Sequence, residues 1–120
     1  MLRILVIEDT PANLSLVGAI LESAGHLMLG AVDAASGIAL ARREKPDLIL
    51  MDIQLPGQDG LAATRELKGD ALTRSIPVVA LTAQSMKGDR ERALEAGCAA
   101  YLAKPFNYRE LLSTITRLCP

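Results

Sequence analysis

Asp52 stands directly behind four apolar residues, Leu48 to Met51, in the stretch PDLILMDIQLPGQDG at 46–60. The same arrangement recurs: Glu8 and Asp9 follow RILVI, Thr82 follows PVVAL, and Lys104 follows AAYLA. If those runs are neighbouring strands that end at one edge, three carboxylates, a hydroxyl and an ammonium meet there. Crowded carboxylates repel one another, so ionising all three calls for a cation, and a cluster of carboxylate oxygens suits a hard divalent ion such as Mg²⁺ or Mn²⁺. Lys104 supplies a mobile positive point charge and Thr82 a hydroxyl, groups that can hold the oxygens of a phosphoryl group beside the metal. Asp52 then has the position of an in-line nucleophile, because phosphoryl transfer depends mainly on placement and charge neutralisation. Its product would be an acyl phosphate.

Elements that deliver these residues are visible in the spacing. Apolar runs at 3–7, 26–32, 47–51, 77–81 and 99–103 alternate with stretches of helical period at roughly 10–24, 34–44, 60–68, 86–96 and 107–118. In the first helix Thr10 is expected at the N-cap and Pro11 at the first helical position, with Leu14, Val17 and Leu21 on one face and a stop at Gly25. The strands read as continuously apolar, which implies a parallel sheet with helices on both faces, an α/β fold. Open sheets of this kind bind ligands beyond the carboxyl ends of their strands, where the chain's winding reverses.

Composition excludes several classes. At 120 residues the chain is expected to be one domain, 1–120, and its 50% hydrophobic content is almost wholly aliphatic, with one Phe, two Tyr and no Trp. Stacking surfaces for bases are scarce and the net charge is −1 with signs interspersed, so no nucleic-acid partner is expected. No apolar run reaches the roughly eighteen residues of a membrane span, so the chain is expected to be soluble and cytoplasmic. Cys98 and Cys119 lack metal-type spacing and read as free thiols. His26, Asp59 and Asp70 read as exposed, unpartnered positions, and 87–97 as a solvated charged helix face.

The chain resembles, over its whole length, the CheY-like receiver domain of two-component response regulators. The resemblance rests on ED at 8–9, LILMDIQLPGQDG at 48–60, VVALTA at 78–83 and AKPF at 103–106, each behind its own strand and in the family's order. More narrowly, PDLILMDIQLP and MKGDRERALEAGCAAYLAKP are similar to stand-alone DivK-type receivers and to receivers of hybrid histidine kinases. The position after the acidic pair is Thr10, where many receivers carry Asp, Asn or Glu; this alters the helix cap and leaves the metal assignment intact.

The resemblance implies a doubly wound, five-stranded, flavodoxin-like (βα)5 sheet of order 2-1-3-4-5. It implies Asp52 as phosphoryl acceptor, with Glu8, Asp9, Asp52 and the Gln54 carbonyl organising Mg²⁺. Thr82, the Ala83 amide and Lys104 would bind phosphoryl oxygens, and Lys104-Pro105 would be a cis peptide. Thr82 and Tyr101 would form the switch, and Gln54 and Gln84 would tune hydrolysis of the acyl phosphate. Expected partners are a histidine kinase or histidine phosphotransfer protein, and a downstream protein bound through the fourth helix, last strand and last helix. The chain is then no enzyme beyond phosphorylating itself from a phosphodonor and slowly losing the group. With no effector module after the last helix, it fits a stand-alone or relay receiver, or a receiver fragment of a larger hybrid kinase. A haloacid-dehalogenase-like Mg²⁺ phosphatase would want a second Asp where Gln54 stands, and a flavodoxin-type carrier would want a hydroxyl-rich loop in place of EDTPAN.

Overall fold

A computed structural model describes residues 1–55, 58–82, 88–104 and 107–119. In chain order the elements are β1 (Arg3–Ile7), α1 (Pro11–Ser23), β2 (Leu27–Ala31), α2 (Ala34–Glu44) and β3 (Leu48–Asp52), then the short strands β4 (Gln54–Leu55) and β5 (Gln58–Asp59). They are followed by α3 (Gly60–Gly69), β6 (Val78–Thr82), α4 (Asp89–Glu95), β7 (Ala100–Ala103) and α5 (Tyr108–Leu118). Five strands form one parallel sheet in the order β2-β1-β3-β6-β7, which counted over that sheet alone is the expected 2-1-3-4-5.

Why the central strands read as unbroken apolar runs is clear from their burial. β1, β3 and β6 have neighbours on both sides and helices on both faces, and every residue of β3 and β6 is buried. Alternate residues feed two separate cores. Leu5, Ile7, Ile49, Met51, Val78 and Ala80 pack with the inner residues of α2, α3 and α4. Ile4, Val6, Leu48, Leu50, Val79 and Leu81 pack with Val17 and Leu21 of α1 and Leu111 and Ile115 of α5. Each fully buried aliphatic side chain contributes about 1.5–3 kcal/mol of transfer free energy. Removing one from a central strand costs more, since a cavity remains.

The outer strands differ. β2 shows only Ala31 fully buried, and β7 alternates buried and half-buried residues, because an edge strand is covered less completely. Their weaker apolar signal has that cause.

Two sequence expectations are corrected at the strand ends. Asp52 and Thr82 are the last residues of β3 and β6 and not the first residues after them, because the ladders continue through Asp52 opposite Leu81 and Thr82 opposite Ala103. Beyond Asp52, Gln54 and Leu55 pair antiparallel with Asp59 and Gln58.

The helix ends follow capping chemistry. Pro11 opens α1 as expected, but the Thr10 side chain makes no capping bond; its backbone N–H donates to Glu8 Oε1 at 3.3 Å. Asp33, Asp59 and Asn107 do cap, their side chains accepting from the N–H of Ser36, Leu61 and Glu110. Asp59 is therefore a cap and not an idle loop charge. Asp70 likewise accepts from Leu72 N–H and pairs with Arg42 at 2.5 Å. These contacts, the Leu72 bond foremost, hold its carboxyl below the usual range. His26 is half-buried and its Nδ1 accepts from Leu2 N–H at 3.2 Å, so it fastens the start of β1. On α4 Asp89 is buried and pairs with Arg92, while the remaining charged side chains of that helix are exposed. Cys98 and Cys119 are free thiols. No helix among the described residues is long and apolar enough to cross a membrane.

Candidate functional site

Four strands of the sheet, β1, β3, β6 and β7, bring residues to one edge. Glu8 follows β1 and is held by its own N–H, which donates to Ala31 at 3.0 Å, so the end of β2 ties it in place. Asp52 closes β3 at the centre, and Thr82 closes β6 beside it. Lys104 follows β7, with its N–H donating to the Thr82 carbonyl at 2.6 Å. Glu8, Asp52 and Thr82 are buried, while Asp9, which starts the turn into α1, is exposed.

A second device fixes Asp52 from below. Ile53 N–H donates to Leu81 at 3.0 Å, and Gln54 N–H donates to Asp52 Oδ1 at 2.9 Å, so the turn after the strand holds one carboxylate oxygen. Gly60, at the start of α3, lies against this turn: a Cβ there would stand 2.4 Å from the Asp52 carbonyl oxygen and 2.5 Å from Ile53 Cα. Only glycine lets the helix approach so closely. Its signal in the sequence is the glycine that closes PGQDG.

The electrostatics follow from burial and one ammonium. Lys104 Nζ lies 2.7 Å from Glu8 Oε2 and 3.4 Å from Asp52 Oδ2. Burial pushes Glu8 upward, but the Lys104 hydrogen bond and charge, with help from Thr10 N–H, outweigh it and leave the carboxyl below its ordinary value. For Asp52 burial wins: the Gln54 N–H and Lys104 pull downward, the neighbouring Glu8 pushes upward, and the carboxyl is raised. Burial disfavours the Lys104 ammonium, yet the two carboxylates more than compensate and raise its pKa. One cation faces three carboxylates, and the excess negative charge sits nearest Asp52.

Glu8, Asp9 and Asp52 each offer an oxygen within 4.8 Å of the others. Oxygen donors, two of them buried and one of those, Asp52, under-neutralised, fit a hard divalent cation and do not fit a soft one. Asp9, Asp52, Glu8, Thr82 and Lys104 are thus brought together as expected. Gln54 is exposed and adjoins the site through its backbone. Tyr101 is half-buried on β7, packed against the core that faces α4. Ala83, Gln84, Pro105 and the turn at Pro56-Gly57 lie outside the described residues.

Comparison with known proteins decides the family. Residues 4–116 match the response regulator receiver domain model. This chain belongs to the response regulator receiver family. Among curated receivers it is 44% identical over 115 residues to protein PilH of Pseudomonas aeruginosa, covering 96% of this chain and 95% of that one. It is 42% identical over 112 residues to the polar-differentiation response regulator DivK of Brucella anthropi, covering 93% of this chain and 91% of that one. Among solved structures it is similar to the receiver domain of the sensor histidine kinase PA1611 of Pseudomonas aeruginosa. The TM-score is 0.90 at 41% identity, with 98% of this chain and 96% of that one covered. That receiver holds a magnesium ion coordinated in its active-site cleft. The present chain is accordingly a signalling receiver, activated by phosphorylation, and the dehalogenase-like and flavodoxin-type readings are set aside.

Proposed function

We propose that Asp52 accepts a phosphoryl group from a histidine kinase or a histidine phosphotransfer protein, and that the chain signals by binding another protein. The observation that carries this is the pairing of a buried carboxylate at the end of the central strand with Glu8 and Lys104 at the same edge. An Asp52 carboxylate oxygen attacks phosphorus as the bond to the donor nitrogen breaks, and the leaving imidazole keeps that electron pair. Asp52 is under-neutralised in this environment, which keeps its attacking form reactive and rewards any added positive charge.

Glu8, Asp9 and Asp52, with the Gln54 carbonyl, would hold Mg²⁺ or Mn²⁺. When bound, the ion neutralises charge on the transferring oxygens. Lys104 turns from Glu8 toward a phosphoryl oxygen, a shift its flexible stem permits. The Thr82 hydroxyl and the Ala83 amide would donate to further oxygens. Gln54 and Gln84, two residues beyond Asp52 and Thr82, border the product and set how readily water reaches it. The chain thus catalyses only its own phosphorylation and slow dephosphorylation.

Output follows from movement of Thr82 toward the phosphoryl group, which opens space for Tyr101 and reshapes the face formed by α4, β7 and α5. That face is the binding site for the downstream protein, in a stand-alone or relay receiver of the PilH and DivK kind. Similarity to the PA1611 receiver favours a second setting, a receiver within a larger hybrid kinase.

Incubation with Mg²⁺ and acetyl phosphate should add one phosphoryl mass that hydroxylamine removes and that Asp52→Asn lacks. No added mass, or equal addition to Asp52→Asn, overturns the assignment. Shorter or longer phosphoryl lifetimes in Gln54→Ala and Gln84→Ala are expected; lifetimes equal to the parent's remove both glutamines from this role.

A further inference from the structure

β2 ends the sheet, and among the described residues no strand lies beyond it. Leu27 N–H donates to the Leu2 carbonyl, and the Ala31 carbonyl accepts from Glu8 N–H, so these residues of β2 turn their backbone groups toward β1. Strand alternation turns the N–H and C=O of Met28 and Gly30 the other way, toward solvent, as unfilled ladder positions. Sheet edges are ordinarily blunted by a lysine, a proline or a bulge. LMLGA carries no charge and no proline, its register with β1 is unbroken, and Gly30 and Val32 are exposed.

Beside this edge runs a groove of about 390 Å³, walled by Ser36, Ala39, Leu40 and Arg43 of α2 and floored by Gly30 and Val32. The four helix residues follow the spacing i, i+3, i+4, i+7 and so form one stripe. The other side of α2 lies over β1, where a Cβ on Gly37 would stand 2.4 Å from Ile7 Cδ1. α2 therefore covers the β1–β2 pair, with its axis about half a strand spacing inside β2. An antiparallel strand added at β2 places a two-fold axis about the same distance outside it. Two copies of α2 then lie roughly 10 Å apart, the spacing at which helices pack, and the short side chains of Ser36 and Ala39 permit that approach.

Charge at the two ends of the stripe is self-complementary. α2 carries Asp33 at its N-cap and Arg43 in its last turn, so an antiparallel copy brings each Arg43 to the partner's Asp33. Both Ser36 bonds fall on Asp33 Oδ1, which leaves Oδ2 without a hydrogen bond among the described residues. The Arg43 side chain is 71% exposed, and its pair with Glu44 at 3.2 Å is of the surface kind that exchanges partners at little cost.

We infer that β2 pairs antiparallel with β2 of a second copy of this chain, Gly30 against Gly30 and Met28 against Val32, joining the two sheets into one. α2 packs on α2 with Ala39 near the two-fold axis. β2 and β7 are opposite edges, so the contact leaves Asp52, Lys104 and the face of α4, β7 and α5 open. It holds whichever donor phosphorylates Asp52.

Sedimentation velocity on the full chain, from about 1 μM to about 1 mM, reads the dimer, and amide hydrogen exchange locates it. One strand and one helix from each copy make an interface at the small end of stable contacts, so the parent should pass from monomer to dimer at roughly 10–100 μM. Exchange of the Met28 and Gly30 N–H should slow by roughly fivefold or more in the concentrated sample, while that of Leu29 and Ala31, already bonded to β1, should not change. Ala39→Glu and Ala39→Lys each set like charges face to face and should raise the dissociation constant roughly tenfold, whereas the two mixed in equal amounts should dimerise. Arg43→Glu, which brings a carboxylate to the partner's Asp33, should weaken the dimer roughly threefold. Acetyl phosphate labelling equal to the parent's shows that the variants fold. A parent that is monomeric at about 1 mM, a dimer in which Gly30 exchange is unchanged, or Ala39 variants that dimerise as the parent does overturns the proposal. So does a monomer whose Gly30 N–H is protected only on adding a peptide of residues 27–33, since the edge then takes a strand from another protein.

Discussion

Lys104 holds Glu8 more closely than it holds Asp52, its Nζ lying 2.7 Å from Glu8 Oε2 and 3.4 Å from Asp52 Oδ2. The ammonium therefore neutralises the carboxylate behind β1 and leaves the one that ends β3 under-neutralised. Glu8 and Asp52 depart from their ordinary values in opposite directions for that reason.

Lys104→Met should remove the cation that keeps Glu8 charged in a buried position. Glu8's depressed pKa contributes stability that is fully present above its unfolded value and is lost as pH falls through the folded value. Without Lys104 burial dominates and the sign reverses, so the metal-free variant should lose about 1–3 kcal/mol at pH 7 and recover part of it at pH 5. Urea unfolding at the two pH values checks this; an equal loss at both points to lost packing alone.

Asp52 behaves oppositely. Its raised pKa means that the fold binds this proton more tightly than the unfolded chain does, so the ionised group destabilises the fold as pH rises through the folded value. Asp52→Asn should have a higher metal-free urea midpoint at pH 7 than the parent. Mg²⁺ should stabilise the parent by about 2.7 kcal/mol at a hundred times its dissociation constant, and Asp52→Asn by clearly less at the same concentration. Thermal unfolding with and without Mg²⁺ measures both.

Gly60→Ala should push α3 away from the turn that holds Asp52, because the new Cβ falls within 2.4 Å of the Asp52 carbonyl oxygen. A loss of about 1–3 kcal/mol is expected from this overpacking, together with slower labelling by acetyl phosphate. Urea midpoints and labelling rates resolve the two effects.

Asn107→Ala should cost about 1 kcal/mol, since the side chain caps α5 by accepting from Glu110 N–H at 2.8 Å. Labelling at Asp52 should be unchanged, as the cap touches no residue of the site. A changed labelling rate would tie the α5 terminus to the chemistry.

Tyr101→Ala should leave labelling at Asp52 intact and abolish the gain in partner binding that phosphorylation produces. Moving an equilibrium from 1:99 to 99:1 takes about 5.5 kcal/mol, a sum within reach of a few charge-assisted hydrogen bonds to the phosphoryl group. Equal phosphorylation-dependent binding in variant and parent would break the link between Tyr101 and output.

The amino-acid sequence alone determined the layout: apolar runs that could only be buried strands, helical stretches between them, and Glu8, Asp9, Asp52, Thr82 and Lys104 each at a strand end. Those features are local, carried by burial and by the direction of a parallel sheet. It also showed where the first helix starts and stops, because Pro11 and Gly25 act through their own backbones.

What only the tertiary structure decided are relationships between residues far apart in the chain. Nothing in the spacing says that Lys104 leans on Glu8, that Gly60 must be bare because it meets the Asp52 backbone, or that His26 receives the amide of Leu2. Asp59 and Asp70 looked like free surface charges for the same reason: a cap or an ion pair needs its partner's position. Charge balance at the site belongs to this class as well. Three carboxylates and one ammonium can be counted from the sequence, but which carboxylate is neutralised depends on distances of a few tenths of an ångström that only packing sets.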